Sequence, residues 1–97
     1  MKVIKFINDF KKKHKEEMED TFSTGYCYWF AQMIATRFKG DIWYNPNQIH
    51  FCARINDTLY DIYGIIEDES GWMSWYDYQI KEHDIAEQII QTSIKKV

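Results

Sequence analysis

Two strand-like segments separated by a two-residue turn constrain the fold of this chain most strongly. Residues 49–55 and 58–63 are rich in β-branched and aromatic side chains, and only Asn56 and Asp57 stand between them. Asn and Asp tolerate the positive φ angles that a two-residue hairpin loop requires. The pattern therefore predicts an antiparallel β-hairpin with Asn56 and Asp57 at its tip.

The position of this turn also predicts which side chains of the hairpin meet. The register pairs Ile55 with Thr58, Ala53 with Tyr60, Cys52 with Asp61 and His50 with Tyr63. Side chains alternate between the two faces of a strand. One face therefore carries His50, Cys52, Arg54, Leu59, Asp61 and Tyr63, and the other carries Phe51, Ala53, Ile55, Tyr60 and Ile62. His50 and Asp61 become diagonal neighbours, roughly 7 Å apart at the backbone, so their side chains can meet.

Helical patterns precede the hairpin. Apolar residues recur at three- and four-residue spacing over residues 2–20, which predicts an amphipathic helix. The Ser and Thr residues of 21–25 suit a helix cap. A second, more apolar helix is predicted over residues 26–38 and a first strand over 41–44, with Gly40 ending the helix.

The segment after the hairpin contains an aromatic cluster and a further helix. Residues 72–78 fit either a short helix or an edge strand. The final helix is predicted to begin at Asp84, its cap, with Ile85, Ile89, Ile90 and Ile94 on one face. The predicted fold class is therefore α+β, with N-terminal helices packed on a small antiparallel sheet of three or more strands and a C-terminal helix.

Length and composition predict a single domain over residues 1–97. Its parts are a helical N-terminal segment (1–24), a helix with the hairpin (25–64), and an aromatic segment with the C-terminal helix (65–97). The formal net charge is −3, so no nucleic-acid partner is expected. No segment of the sequence resembles a secretion signal or a membrane span, and we expect a cytoplasmic protein without a membrane partner.

Cys27, His50 and Asp61 form the candidate site. A thiol in the first turn of a helix is activated by the helix N-terminus, a histidine can take its proton, and a carboxylate can orient the imidazole. Each residue also has a structural interpretation. Cys27 is compatible with a small core side chain, His50 with a surface or satisfied core residue, and Asp61 with a turn contact or a pair with Arg54.

The second cysteine, Cys52, lies in mid-strand, where no helix dipole acts on it, so we interpret it as a packing residue. We expect both cysteines to be free thiols, with a Cys27–Cys52 disulfide as the alternative. The two cysteines and three histidines show no Cys-x-x-Cys or His-x-x-x-His spacing, and no metal or cofactor is predicted.

The candidate site resembles that of the transglutaminase-like and papain-like cysteine protease superfamily. Gly25-Tyr26-Cys27 followed by aromatics and Ala31 resembles its nucleophile helix, His50-Phe51-Cys52-Ala53 its histidine strand, and Leu59-Tyr60-Asp61 its aspartate strand. The resemblance covers about 40 of the 97 residues. It implies Cys27 as nucleophile, His50 as base and Asp61 as orienting residue, on a helix packed against an antiparallel sheet.

Two functions of different classes follow. The first is a small thiol hydrolase or acyltransferase that acts on an amide or thioester in a peptide or protein. The second is a non-catalytic protein-binding module of the same fold, such as a phage-encoded inhibitor or anti-defence protein. For that module we expect exposed Trp43, Trp72 and Trp75 to anchor the target beside the acidic residues 67–69.

Overall fold

The computed structural model describes residues 2–13 and 27–94. The helices are α1 (Lys2–Lys13), α2 (Cys27–Phe38), α3 (Trp75–Lys81) and α4 (His83–Ile89), and a π-helical segment, Ile90–Ile94, follows α4. The strands are β1 (Asp41–Asn45), β2 (His50–Ile55), β3 (Thr58–Asp61), β4 (Gly64–Ile65) and β5 (Met73–Ser74). They form one antiparallel sheet in the order β4-β3-β2-β1-β5. The α+β class is as predicted.

The β2–β3 hairpin has the predicted turn and the predicted register near its tip. Asn56 and Asp57 have φ angles of 50° and 68°, as a two-residue turn with both φ values positive requires. The paired residues are Ile55 with Thr58, Arg54 with Leu59, and Ala53 with Tyr60.

Farther from the tip, the predicted strands are too long. β3 ends at Asp61 because the chain turns there, and β4 pairs Gly64 with Asp61. The expected pairing of Cys52 with Asp61 and of His50 with Tyr63 is therefore outside the β2–β3 ladder. β2 begins at His50 rather than at residue 49 because Ile49 is in the left-handed region, with φ 50°.

The two faces of the sheet have different coverings. α1 and α2 bury an apolar cluster against β2 and β3, and its buried members are Val3, Ile7, Phe30, Ile34, Ala35, Ala53, Ile55, Tyr60 and Ile62. A second cluster joins α2 to α3 and α4 through Ala31, Tyr44, Phe51, Trp75, Tyr78 and Ala86. The opposite face carries Cys52, Leu59 and Trp72, with Trp43 and Ile66 packed against them. Side chains thus alternate along the hairpin as predicted: those of one face pack against the helices, and those of the other face pack against the segment that carries Trp72.

α2 ends by a C-terminal capping motif that differs from the expected one. Lys39, not Gly40, has the left-handed conformation, with φ 59°. The N–H of Gly40 donates to the carbonyl of Ala35 at 2.8 Å, as in a Schellman motif. Gly40 is required for another reason: a Cβ there would lie 2.3 Å from the carbonyl oxygen of Arg54. Its lack of a side chain lets the end of α2 pass close to β2.

The aromatic segment forms both of the structures that its sequence allowed. Met73 and Ser74 pair with β1 as an edge strand, and α3 begins at the next residue. Ser74 caps this helix, its hydroxyl accepting the N–H of Asp77 at 3.4 Å. Trp72 and Trp75 are buried.

The C-terminal helix differs from the prediction in its start and its buried face. α4 begins at His83 after Glu82, so Asp84 lies inside its first turn instead of capping it. Ala86 is buried while Ile85 is 49% exposed. Ala86 packs with Ile89 and Ile90 in the cluster under α2, because residues three and four apart share one face of a helix.

Several expectations fall outside the described residues. The predicted continuation of the first helix over residues 14–20, the cap in 21–25 and Tyr26 lie there. Within the described ranges, no helix has the length and apolar character needed to span a bilayer.

Candidate functional site

The imidazole of His50 and the carboxylate of Asp61 lie in hydrogen-bonding contact. Nε2 of His50 is 3.1 Å from Oδ2 of Asp61, and the two side chains are 23% and 15% exposed. The other oxygen, Oδ1, accepts the backbone N–H of Tyr63 at 2.9 Å. The sequence predicted the His50–Asp61 approach from the hairpin faces. The alternative pairing of Asp61 with Arg54 does not occur, because Arg54 donates to Asp57 at 2.6 Å.

Cys27 reaches the same histidine from the first position of α2. Its thiol is hydrogen-bonded to the His50 side chain and to the backbone of Phe51 and Tyr28. Both backbone contacts lower the pKa of the thiol, so both groups act as N–H donors that favour the thiolate. The β2–β3 ladder extends only to Ala53, which leaves the start of β2 without a β3 partner beside the thiol. The structure therefore brings Cys27, His50 and Asp61 together.

The pKa shifts at this site favour a charged pair. Burial raises the pKa of the Cys27 thiol, but the hydrogen bond to His50, the backbone N–H groups and the histidine charge together bring it below the ordinary value. The Asp61 hydrogen bond, followed by that of Cys27, raises the pKa of His50 to about 9 against the opposing effect of burial. The two shifts act in opposite directions, so the proton is favoured on the imidazole and the negative charge on sulfur.

The orientation of the imidazole follows from its contacts. Asp61 is hydrogen-bonded to Nε2, which leaves Nδ1 as the ring nitrogen that can form a hydrogen bond with the Cys27 thiol. Trp72 contacts the ring edge-on, with 5.8 Å between the ring centroids. This tryptophan is 9% exposed and belongs to the cluster with Cys52 and Leu59. The imidazole is thus held by a carboxylate and shielded by an indole.

Cys52 provides a contrast within the same chain. It is 0% exposed, and burial, followed by the negative charges of Asp61 and Glu69, raises the pKa of its thiol far above the ordinary range. Both cysteines are free thiols in the structure. A thiol that is buried in apolar surroundings is unreactive, in agreement with the interpretation of Cys52 as a packing residue.

Comparison with known proteins places the chain in a family. The sequence model of the family described as Phage YunG-like protein matches residues 3–94, almost the whole chain. The chain belongs to the Phage YunG-like family. The search of curated proteins and the search of solved structures each found no match. Family membership thus indicates a phage relationship.

Asn45 supports the site, although the sequence suggested only a turn at this position. It is the partner of His50 in the β1–β2 ladder and is 2% exposed. Its Oδ1 accepts the N–H of Asn47 at 3.0 Å and that of Gln48 at 3.3 Å. An Asn followed by Pro is the available signal, since Asn side chains commonly bond to the backbone two residues on. The bonds fix the turn that leads into His50.

Two described grooves lie away from Cys27 and His50. One, of about 560 Å³, lies between α2 and α3 and includes Thr36, Asp41 and Gln79. The other, of about 660 Å³, lies between α1 and α2 and includes Phe6, Met33 and Arg37. In the described part of the chain, no three His, Cys, Asp or Glu side chains converge as a metal site requires.

Proposed function

We propose that the chain is a small thiol hydrolase or acyltransferase with Cys27 as nucleophile, His50 as general base and acid, and Asp61 as orienting residue. The observation that carries the proposal is the double contact of His50, with Asp61 at 3.1 Å and with the Cys27 thiol. The resemblance to the transglutaminase-like and papain-like superfamily supports the same roles. The substrate would be an amide or thioester of a peptide or protein, and the free thiols suit a reducing cytoplasm.

The proposed reaction has two steps. In the first, the Cys27 thiolate attacks the carbonyl carbon of the substrate, and the His50 imidazolium protonates the departing amine or thiolate as its bond to carbon breaks. In the second, His50 removes a proton from water or from an acceptor amine, which attacks the acyl carbon, and the bond from that carbon to sulfur breaks. The products are a carboxylic acid or a new amide, with the Cys27 thiolate and the imidazolium restored.

The charge that develops on the carbonyl oxygen requires hydrogen-bond donors. Cys27 is the first residue of α2, and the N–H groups of a first helical turn have no partner within the helix. The N–H groups of Cys27 and Tyr28 are the proposed donors, assisted by the positive end of the helix dipole. The Tyr28 N–H, which donates to the sulfur in the free site, would turn to the carbonyl oxygen once the sulfur bonds to carbon. Asp61 would hold the imidazole in one orientation and stabilise its protonated form throughout.

The test is the pH dependence of thiol alkylation, because only the thiolate reacts. Wild-type protein is treated with iodoacetamide between pH 5 and 9, and modification of each cysteine is followed by peptide mass spectrometry. We expect Cys27 to react at a lower pH than an ordinary thiol does. Cys52 is the internal control, since its raised pKa and full burial predict no reaction in the native state.

Two variants complete this experiment. Cys27→Ala should abolish both the labelling and any hydrolysis of peptide amides or thioesters, whereas Cys52→Ala should retain them. If Cys27 reacts with the pH dependence of a free thiol, and Cys27→Ala leaves hydrolysis unchanged, the proposed function is wrong.

The second candidate is a non-catalytic protein-binding module, and the Phage YunG-like family supports it because small phage-encoded proteins include inhibitors of host systems. The anchors expected from the sequence need correction: Trp72 and Trp75 are buried, and Trp43 is half-buried under the Arg54 guanidinium. Exposed aromatic surface instead comes from Tyr63 and Tyr76, at 74% and 71% exposure.

Affinity capture from a host lysate would discriminate the two functions. A binding module predicts that a Cys27→Ala variant captures the same partner as wild type, while Tyr76→Ala loses it. An enzyme predicts the opposite dependence: Cys27→Ala loses turnover, and Tyr76→Ala keeps it.

A further inference from the structure

Ile49 has an unusual backbone conformation directly before His50. Four non-glycine residues of the described chain have positive φ: Lys39, Ile49, Asn56 and Asp57. Lys39 ends a helix, and the Asn and Asp form a turn that favours them. Ile49 is the β-branched member of this group, and a branched Cβ is the least compatible with the left-handed region. Gly or Asn would suit this backbone better.

The Ile49 side chain contributes little to the core. It is 67% exposed, so burial of apolar surface does not offset the unfavourable backbone conformation. The turn itself is already held by Asn45, whose Oδ1 accepts two backbone N–H groups. An exposed β-branched side chain held in an unfavourable conformation therefore points to a contact made outside the folded chain.

The location of Ile49 identifies that contact. It is the chain neighbour of His50, and the Cys27 thiol is hydrogen-bonded to the next residue, Phe51. Two steps of 3.8 Å between Cα atoms place the backbone of Ile49 within about 8 Å of that of Phe51. The backbone of residues 49–51 therefore lies beside the sulfur that the carbonyl carbon of a substrate would meet.

We infer that Ile49 is a specificity-determining residue, which offers its apolar side chain to an apolar group next to the carbonyl that Cys27 attacks. The inference rests on the proposed function and adds the substrate class: acyl donors with an aliphatic or aromatic side chain beside the reacting carbonyl. The positive φ of Ile49 also directs the chain into β2 at His50. This effect depends on the backbone angle, which Asn or Gly at position 49 would preserve. Substitution can therefore separate the side chain from the backbone.

The experiment compares two bromoacetamides that carry the same reactive carbon. One has an isobutyl group on its nitrogen and the other a hydroxyethyl group. The rate ratio of the two reagents at Cys27 is measured in wild type, Ile49→Asn, Ile49→Gly and Ile49→Val, and is divided by the ratio for glutathione. Wild type and Ile49→Val should prefer the apolar reagent by roughly 10-fold, the lower end for one apolar contact. In Ile49→Asn and Ile49→Gly the preference should disappear.

Controls distinguish the two proposals. Iodoacetamide, which has no group to contact Ile49, should alkylate Cys27 faster than glutathione in wild type, Ile49→Asn and Ile49→Gly, and the variants should unfold at a temperature no lower than wild type. An equal reagent ratio in wild type and Ile49→Asn, with rapid iodoacetamide reaction in both, overturns the role of Ile49 alone. Failure of Cys27 to react faster than glutathione with any reagent overturns both proposals.

Discussion

Asp61 holds His50 with one carboxylate oxygen and its own backbone turn with the other. Oδ2 is 3.1 Å from Nε2 of the imidazole, and Oδ1 accepts the N–H of Tyr63 at 2.9 Å. A carboxylate fixed at both oxygens cannot rotate away from the histidine without losing the turn contact. The imidazole is therefore held in one orientation, as the general base of the proposed enzyme would require.

The first prediction concerns removal of this carboxylate charge. Asp61→Asn keeps the size of the side chain but removes the largest cause of the raised His50 pKa, so we expect that pKa to fall from about 9 towards its ordinary value. NMR titration of the ring in wild type and variant measures the change, and the pH midpoint of Cys27 alkylation should rise. Asp57→Asn, which changes a carboxylate 87% exposed in the hairpin turn, is the matched control. An unchanged His50 titration in Asp61→Asn would contradict the assignment.

The second prediction concerns stability against pH. The raised pKa of His50 stabilises the fold fully below its ordinary value, about 6.5, and this contribution is lost as the pH rises through about 9. The lowered pKa of Cys27 acts oppositely, giving stability above the ordinary thiol pKa that is lost as the pH falls through the folded value. In the pH range where both shifts operate, Cys27 and His50 together bind one proton in the folded chain, on the imidazole, and one in the unfolded chain, on the thiol. Wild-type stability should therefore vary little there.

Cys27→Ala removes that compensation. His50 keeps the Asp61 hydrogen bond, so the folded chain still binds more protons than the unfolded chain above pH 6.5 or so. Unfolding free energy should fall with rising pH in the variant, by up to about 1.4 kcal/mol per pH unit for one proton. Urea unfolding from pH 6 to 9 measures both slopes. Parallel profiles for wild type and variant would exclude the charged pair.

The hairpin shows why part of the site was predictable. A two-residue turn fixes the register of its strands, and the register fixes which side chains share a face. His50 and Asp61 could therefore be brought together from the sequence alone, although the strands end earlier than expected. Cys27 could be placed at a helix start, since the apolar period begins there.

The remainder of the site depends on contacts that no local pattern encodes. Trp72 lies against His50 because the chain between β4 and β5 crosses the open face of the sheet. The sequence of this connecting segment does not specify which edges of the sheet β4 and β5 occupy. The N–H of Phe51 bonds to the thiol in the part of β2 that the β2–β3 ladder does not reach. Ile49 departs from its strand because the turn held by Asn45 overrides its β propensity.

The third prediction tests the turn on which the register depends. Asp57 has φ 68°, a conformation that Gly adopts without a steric penalty, and Asn-Gly is the preferred pair for this turn. The exposed contact with Arg54 that would be lost contributes little. Asp57→Gly should therefore leave stability unchanged or raise it by up to about 1 kcal/mol. Asp57→Val, which forces a β-branched residue into the same angle, should destabilise. The midpoint of urea unfolding compares them, and equal midpoints would contradict the prediction.

The last prediction concerns the indole that covers the open face of the sheet. Trp72 is 9% exposed and packs on Cys52 and Leu59, so Trp72→Ala should lower the unfolding free energy by about 3–5 kcal/mol through lost burial and a cavity. The cavity should also admit a small reagent to Cys52, whose native-state alkylation should become detectable before global unfolding. Trp72→Phe should lose less stability and keep Cys52 protected, since a smaller ring still covers Cys52.

Tyr76→Ala, at a position 71% exposed, is the control and should change stability by no more than about 0.5 kcal/mol. The comparison of Cys52 alkylation is made with enough added osmolyte to bring Trp72→Ala to the stability of wild type. If Cys52 is then as well protected in Trp72→Ala as in wild type, the indole does not seal this face.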